Sequence, residues 1–217
     1  MTPITFLHMP KTAGTSIIAS MQERFGEDGC YVHGQTAPWS KFDTLAPSLA
    51  KYSAIAGHLT IEQLDRVPGD KRIFTVIRPP VDRILSWYEF LLRARRATLH
   101  PWTKDGDIHT FIERCCENRR GGTRMHPNAH EMFNGMCRRL HPDGTAEAAL
   151  EVIHDRRILV LDQVRLADDL PKLGEWIDLP ALPRLNVTAE KPVYMPSVLA
   201  RISELNTEDE KLYAALA

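Results

Sequence analysis

The chain sets short, unbroken apolar runs between longer stretches in which apolar residues recur every three or four positions. Three runs, Ile4 to Met9, Ser53 to Gly57 and Arg72 to Ile77, are brief, partly β-branched and uninterrupted. That is the pattern of strands buried on both faces of a parallel sheet. A fourth, Arg157 to Leu161, reads the same way and ends at Asp162. Between them Ile17, Ile18, Met21 and Phe25 fall at helical spacing, with Gly26 placed to stop the helix. Ile84, Leu85, Tyr88, Leu91 and Leu92 make an apolar helical face that runs to about Arg96. Further helical patterns occupy 107–118, 129–140 and 146–155, and Thr207-Glu208-Asp209-Glu210 has the form of a capping box before Leu212 to Leu216. Strands alternating with helices predict an α/β fold, a central mainly parallel sheet flanked by helices in three layers. The opening order of strand, small-residue loop and helix makes that fold P-loop-like. No repeat, low-complexity segment or linker divides the chain, so residues 1–217 are expected to form one domain.

Composition narrows the class without naming a function. The 217 residues are 43% hydrophobic and 25% charged, ordinary globular values that exclude disordered and collagen-like chains. The apolar runs are far below the ~18 residues that a membrane span needs. The start has no basic segment, and His8 and Pro10 interrupt its apolar stretch, so it does not read as a signal peptide. Cys30, Cys115, Cys116 and Cys137 form no C-x-x-C pair and no zinc spacing, and are expected as reduced thiols of a cytoplasmic protein. The net charge of −1 predicts no nucleic-acid partner. It conceals a gradient: residues 71–142 carry 14 basic and 7 acidic side chains, while both flanking thirds are acidic. A segment this basic suits a local anionic ligand or, equally, a solvated Arg-rich face.

In a parallel sheet ligands bind beyond the carboxyl ends of the strands, where loops converge and helix N-termini point inward. Three polar features fall at that edge: the loop after Met9, His58 after the second run, and Arg78 after the third. Pro10-Lys11-Thr12-Ala13-Gly14-Thr15-Ser16 offers small residues, a helix start, a lysine and three hydroxyls, which is what a phosphate cradle needs. It is not a nucleoside-triphosphate P-loop, because Lys11 precedes Gly14 where that motif puts lysine after its second glycine. Arg78-Pro79-Pro80-Val81-Asp82-Arg83-Ile84-Leu85-Ser86-Trp87-Tyr88 sets an arginine at a strand tip and a serine two turns into the next helix. A planar guanidinium fork and a hydroxyl suit a second phosphate.

Together these segments resemble a known family. Phe6 to Ser16 is similar to the 5′-phosphosulfate loop of sulfotransferases that use 3′-phosphoadenosine-5′-phosphosulfate (PAPS), in the branch of heparan sulfate 2-O-sulfotransferase and bacterial carbohydrate sulfotransferases. Arg78 to Tyr88 matches the fixed positions of that family's 3′-phosphate motif, R-x-P-x-x-R-x-x-S-x-Y. Leu185 to Lys191 resembles the loop that folds over the donor, and Asp209 to Tyr213 the family's last helix. The resemblance implies that Lys11 contacts the oxygen bridging phosphorus and sulfur, and that the amides of Thr12, Ala13, Gly14, Thr15 and Ser16, with the Thr15 and Ser16 hydroxyls, hold the 5′-phosphate. It assigns the 3′-phosphate to Arg78 and Ser86, and the covering loop to Asn186, Thr188 and Lys191. Arg83 would brace the site by ion pairing. The product would be adenosine 3′,5′-bisphosphate.

An acceptor hydroxyl must lose its proton, and His58, ending a strand in Ala56-Gly57-His58, is the candidate base, with His33 in reserve. His8 is expected to orient the loop. No metal is implied, since a sulfuryl group carries less charge to neutralise than a phosphoryl group. Asp162 is expected to cap or orient at a strand end rather than bind magnesium. The acceptor is expected to be a hydroxyl on a carbohydrate. Arg93, Arg95, Arg96, Arg119, Arg120 and Arg124 would suit an anionic glycan, with Trp39 or Trp102 stacking on sugar faces. A P-loop-like nucleotide kinase and a non-catalytic nucleotide-binding protein are the competing classes.

Overall fold

A computed structural model describes residues 2–94, 97, 99–104, 107–120, 129–183 and 192–217. Five strands, β1 (Ile4–Leu7), β2 (Cys30–Val32), β3 (Ala54–Gly57), β4 (Arg72–Ile77) and β5 (Leu159–Asp162), form one sheet in the order β2-β3-β1-β4-β5. Every pairing in it is parallel. The helices are α1 (Gly14–Gly29), α2 (Phe42–Leu45), α3 (Ile61–Asp65), α4 (Pro80–Arg93), α5 (Ile108–Arg120), α6 (Gly135–Leu140), α7 (Ala146–Asp155), α8 (Leu166–Asp169), α9 (Pro196–Leu205) and α10 (Thr207–Leu216). The fold is thus the expected α/β arrangement, with helices on both faces of a parallel sheet. The four predicted strands are present. β2 was not expected, because three residues directly behind a helix are too few to stand out as an apolar run.

Strand alternation sorts the core into two layers. Ile4 and Phe6 of β1, Ala54 and Ala56 of β3, and Phe74 and Val76 of β4 pack on the face covered by Ile17, Ile18 and Met21 of α1. Leu7, Ile55, Ile73 and Ile77 pack on the opposite face, against residues of α6, α7 and α10. A further apolar cluster joins α4, α5 and α9 through Trp87, Tyr88, Phe111 and Ile202. All four cysteines are buried and unpaired.

Three local expectations are corrected. The apolar face of α4 ends at Arg93 rather than Arg96. The stretch 129–140 is not one helix: a 3₁₀ turn (Ala129–Met132) and α6 are separated by Asn134, whose φ is 53°. The α10 start is not a Thr207 capping box either, since its N-cap residue is Asn206. One exchange explains both of these. The Asn134 side-chain oxygen accepts from the amides of Glu208 and Asp209 at 3.1 and 3.2 Å, while the Asn134 amide donates to the Asn206 side chain at 3.1 Å. The break between the 3₁₀ turn and α6 therefore supplies the cap that α10 lacks of its own.

Candidate active site

Register and alternation bring the chemistry together. β1 sits between β3 and β4; the chain leaves it toward the β2 side and later crosses back from β3 to β4, so the order reverses at β1. In open parallel sheets that reversal opens a crevice beyond the strand ends. Leu7 is paired with Gly57 and with Thr75. The next residues, His8 and His58, are therefore neighbours on the α1 face, since they continue the series 4-6-8 and 54-56-58. Arg78 continues 74-76-78 on the same face.

The loop after β1 is built to leave backbone donors open. Lys11 and Ala13 have φ of 71° and 65°, on either side of Thr12, whose φ is negative. Left-handed backbone costs a non-glycine residue about 1–2 kcal/mol. Two such residues so close mark a loop held in shape by its surroundings. Alternating handedness of this kind turns successive N–H groups to one side, as in anion-binding nests. Ala13, which precedes α1, has no side chain that could cap the helix. The Thr12 hydroxyl donates to the Met9 carbonyl at 2.8 Å and closes the turn, so only the Thr12 amide is left for a ligand. Thr15 is exposed at the rim and Ser16 is buried behind it. Gly14 has a steric reason: a Cβ there would lie 1.8 Å from the His8 ring.

Two cations flank this helix start. Arg78 donates to the Lys11 carbonyl at 3.1 Å, while its buried Nε has no partner among the described residues. The Lys11 ammonium lies 4.5 Å from the centre of the Phe90 ring on α4. Burial, followed by the nearby charges of Arg78 and Arg93, lowers the Lys11 pKa to about 8. Ser86, half-buried, lies on α4 between Arg78 and Phe90. Arg83, on the same helix, is fully buried and points elsewhere. It donates to the Glu131 carboxylate at 3.2 Å and the Glu131 carbonyl at 2.8 Å, and pairs with Asp209 at 3.4 Å. Asn186, Thr188 and Lys191 lie outside the described residues.

On the other side of the loop three histidines form a layer. The His8 and His58 rings stack at 4.1 Å, and His8 also stacks on Phe6 at 5.3 Å. The His8 carbonyl lies 3.0 Å from His58 Nδ1. A carbonyl only accepts, so Nδ1 carries the proton and a neutral His58 keeps its lone pair on Nε2. Burial, then the charge of Arg139, lowers the His58 pKa to about 4. Burial and the His58 and Arg139 charges push His8 well below the ordinary imidazole range, and burial followed by Arg139 lowers His33. Arg139 itself is held by Glu131 and donates to the Leu59 carbonyl at 3.3 Å, next to His58.

Several functional neighbours escaped the sequence reading. Phe90 stands four residues after Ser86, the spacing that puts both on one helix face, and that was the available signal. Arg139 and Glu131 reach His58 from 81 and 73 residues away, with nothing local to announce it. Asp162 acts as the expected strand-end cap: it accepts from the Val164 amide at 3.0 Å and the Tyr213 hydroxyl at 2.9 Å, with Arg165 3.6 Å away.

No protein-family model matches the chain, and no curated protein does. Among solved structures, that of mouse sulfotransferase SULT7A1 complexed with PAP superposes with a TM-score of 0.48 at 16% sequence identity. The superposition covers 97% of this chain and 65% of that one, so the chain spans about two thirds of that protein's length. Among the described residues no helix is long and apolar enough to cross a membrane.

Proposed function

We propose that the protein is a sulfotransferase that moves a sulfuryl group from PAPS to a hydroxyl of a carbohydrate acceptor, as one domain over residues 1–217. The carrying observation is that Lys11 and Arg78 lie at one helix start without a side-chain cap, beside a histidine whose Nε2 has no hydrogen-bond partner among the described residues. The sequence motifs at Phe6 to Ser16 and Arg78 to Tyr88 support the same reading, since both segments that resemble the family's 5′-phosphosulfate and 3′-phosphate motifs lie at this edge. Four buried, unpaired thiols suit the cytoplasm.

In this reading the amides of Thr12, Ala13, Gly14 and Thr15 and the Thr15 and Ser16 hydroxyls hold the 5′-phosphate, while the Ser16 amide, expected among them, donates to the Ala13 carbonyl at 3.1 Å. Arg78 and Ser86 hold the 3′-phosphate, with the unpartnered Arg78 Nε available to it. Asn186, Thr188 and Lys191 close over the donor. The acceptor oxygen forms the new bond to sulfur as the bond from sulfur to the bridging oxygen breaks. His58 Nε2 takes the acceptor's proton, and the Lys11 ammonium neutralises the negative charge left on the departing adenosine 3′,5′-bisphosphate. Holding both groups on rigid strand ends lets the chain position them without a large rearrangement.

Thermal unfolding with added nucleotide tests the reading. Adenosine 3′,5′-bisphosphate at a hundredfold excess over its Kd should stabilise the protein by about 2.7 kcal/mol. A response to Mg-ATP and none to the bisphosphate would make the protein a kinase-like enzyme. Bisphosphate binding with no transfer of labelled sulfuryl to any alcohol would make it a binding protein.

A further inference from the structure

A cavity of about 320 Å³ opens beside the histidine layer, between α1 and the segment that follows β2. Its volume is at the small end of the range for ligand sites, room for one ring rather than a length of polymer. Its chemistry is unusual for a protein whose middle third is so basic. None of the described residues that line it is Asp, Glu, Lys or Arg. The polar lining is made of Gln22 on α1, Gln35, Thr15 and the histidines, and the apolar wall of Ile18, Val32 and Trp39.

Trp39 is 52% exposed, yet it is packed on one side by its neighbours. Gly34, with φ of 84°, lets the indole lie against its backbone, where a Cβ would be 2.4 Å from the ring. His33 packs edge-on against the indole at 4.3 Å, and the planes of Trp39 and His58 are within 11° of parallel. A partly exposed indole in the lining, with two carboxamide side chains in the same lining, supplies the two things a sugar ring requires. The face covers its C–H surface, and planar donor-acceptor groups bind its hydroxyls in pairs. The histidines add neutral hydrogen-bonding groups, since burial lowers the pKa of each.

We propose that this cavity receives the acceptor and that it takes an uncharged, hydroxylated ring of monosaccharide size, stacked on Trp39 and held by Gln22 and Gln35. The assignment of that ring as acceptor rests on the sulfotransferase reading; the cavity's preference for it does not. An anionic sugar would bring a carboxylate or sulfate into a lining with no cation, an uncompensated desolvation. A phenol would leave both carboxamides without most of their partners.

Saturation-transfer NMR on the full chain without donor tests this directly, with a neutral methyl hexoside, the matching methyl hexuronide and phenol as probes. The hexoside should bind saturably, and Trp39→Ala should weaken it by about tenfold, with Trp39→Phe restoring most of the loss. Gln22→Lys should admit the hexuronide. Preference of the native protein for the hexuronide or phenol, or hexoside binding indifferent to Trp39→Ala, would overturn the assignment. Adenosine 3′,5′-bisphosphate melting of the same variants separates the two claims. If the bisphosphate fails to stabilise the native protein while the hexoside binds, the donor reading falls and the cavity stands. If the bisphosphate stabilises every variant and no hexoside binds, the cavity assignment alone falls.

Discussion

His58 and Lys11 are ordinary residue types placed where burial changes their titration. His58 works as a base only while neutral, and burial with the Arg139 charge holds its pKa to about 4, so it is neutral across the physiological range. Lys11 neutralises charge only while protonated, and burial beside Arg78 brings its pKa to about 8. The active protonation state of the free enzyme thus exists above the first value and below the second. In the sulfotransferase reading, kcat/KM for the donor should be flat between about pH 4 and 8 and fall tenfold per unit outside it. The alkaline limb of kcat should lie higher, because a bound polyanion favours the ammonium. Lys11→Ala should remove the alkaline limb along with most of the rate. His58→Ala should lower kcat by about 10²- to 10⁴-fold and leave adenosine bisphosphate binding intact. An acid limb near pH 6.5, the value of an unperturbed imidazole, would rule out the tautomer-fixed His58 as the base.

At the scale of elements, the site stands on a buried ionic frame. Arg83 of α4, Glu131 of the 3₁₀ turn, Arg139 of α6 and Asp209 of α10 meet in the interior. The Asp209 carboxylate also accepts from the Met136 and Cys137 amides at 3.1 and 2.9 Å, capping α6. Burial pushes the Glu131 carboxyl up, but Arg139, His130 and Arg83 together hold it well below the ordinary carboxylate range. A depressed carboxyl contributes stability that is present above its unfolded pKa, about 4.3 for Glu, and lost as pH falls through the folded value. Glu131→Gln leaves two arginines short of a counter-charge and should cost about 3–5 kcal/mol at neutral pH by urea denaturation. The gap from the native protein should narrow as pH falls below about 4, because there the carboxyl of the unfolded chain takes up a proton while the native one stays ionised. The frame shows what was legible in sequence and what was not. Arg83 was expected as an ion-pairing brace only through the family resemblance of the Arg78 to Tyr88 segment. Its partners could not be read, because Glu131 is 48 and Asp209 126 residues away, and Asn134 interrupts the apolar pattern there for the sake of α10. The ends of β3 and β4 read correctly because buried parallel strands are continuous apolar runs and the first polar residue after each is at the ligand edge, whereas β1 ends at Leu7, two residues before the expected Met9. Trp39 was singled out by residue type as a sugar-stacking candidate, but Gly34 and Gln22 have no such rule, since a cavity wall borrows from elements whose packing no local period encodes.

Across the whole molecule, the neutral total conceals where the charge is spent. Residues 71–142 supply half of the basic side chains, yet those described there are largely engaged at home. Arg93 pairs with Glu89 at 3.8 Å and Arg120 with Glu113 at 3.6 Å, Arg119 lies over the Phe133 ring at 4.7 Å, and Arg114 donates to the Trp102 carbonyl at 2.9 Å. Arg95, Arg96 and Arg124 lie outside the described residues. Among the described residues Lys11 and Arg78 are the cations placed at the helix start, on the loop side of the histidine layer, and the lining of the cavity beyond that layer has no formal charge. The two substrates of the proposed reaction should therefore respond to salt in opposite ways. Screening shortens from about 10 Å at 0.1 M to about 3 Å at 1 M, which weakens attraction between exposed charges. Over that range KM for the donor should rise several-fold, and Arg78→Gln should raise it at low salt and flatten its slope. KM for a neutral hexoside should hold constant throughout, and should not move when Arg93, Arg119 and Arg120 are replaced together by glutamine. If acceptor KM instead climbs with salt and with loss of those three arginines, the acceptor is an anion bound on the basic face. The charge gradient along the chain would then mark the acceptor site, and the uncharged cavity would not.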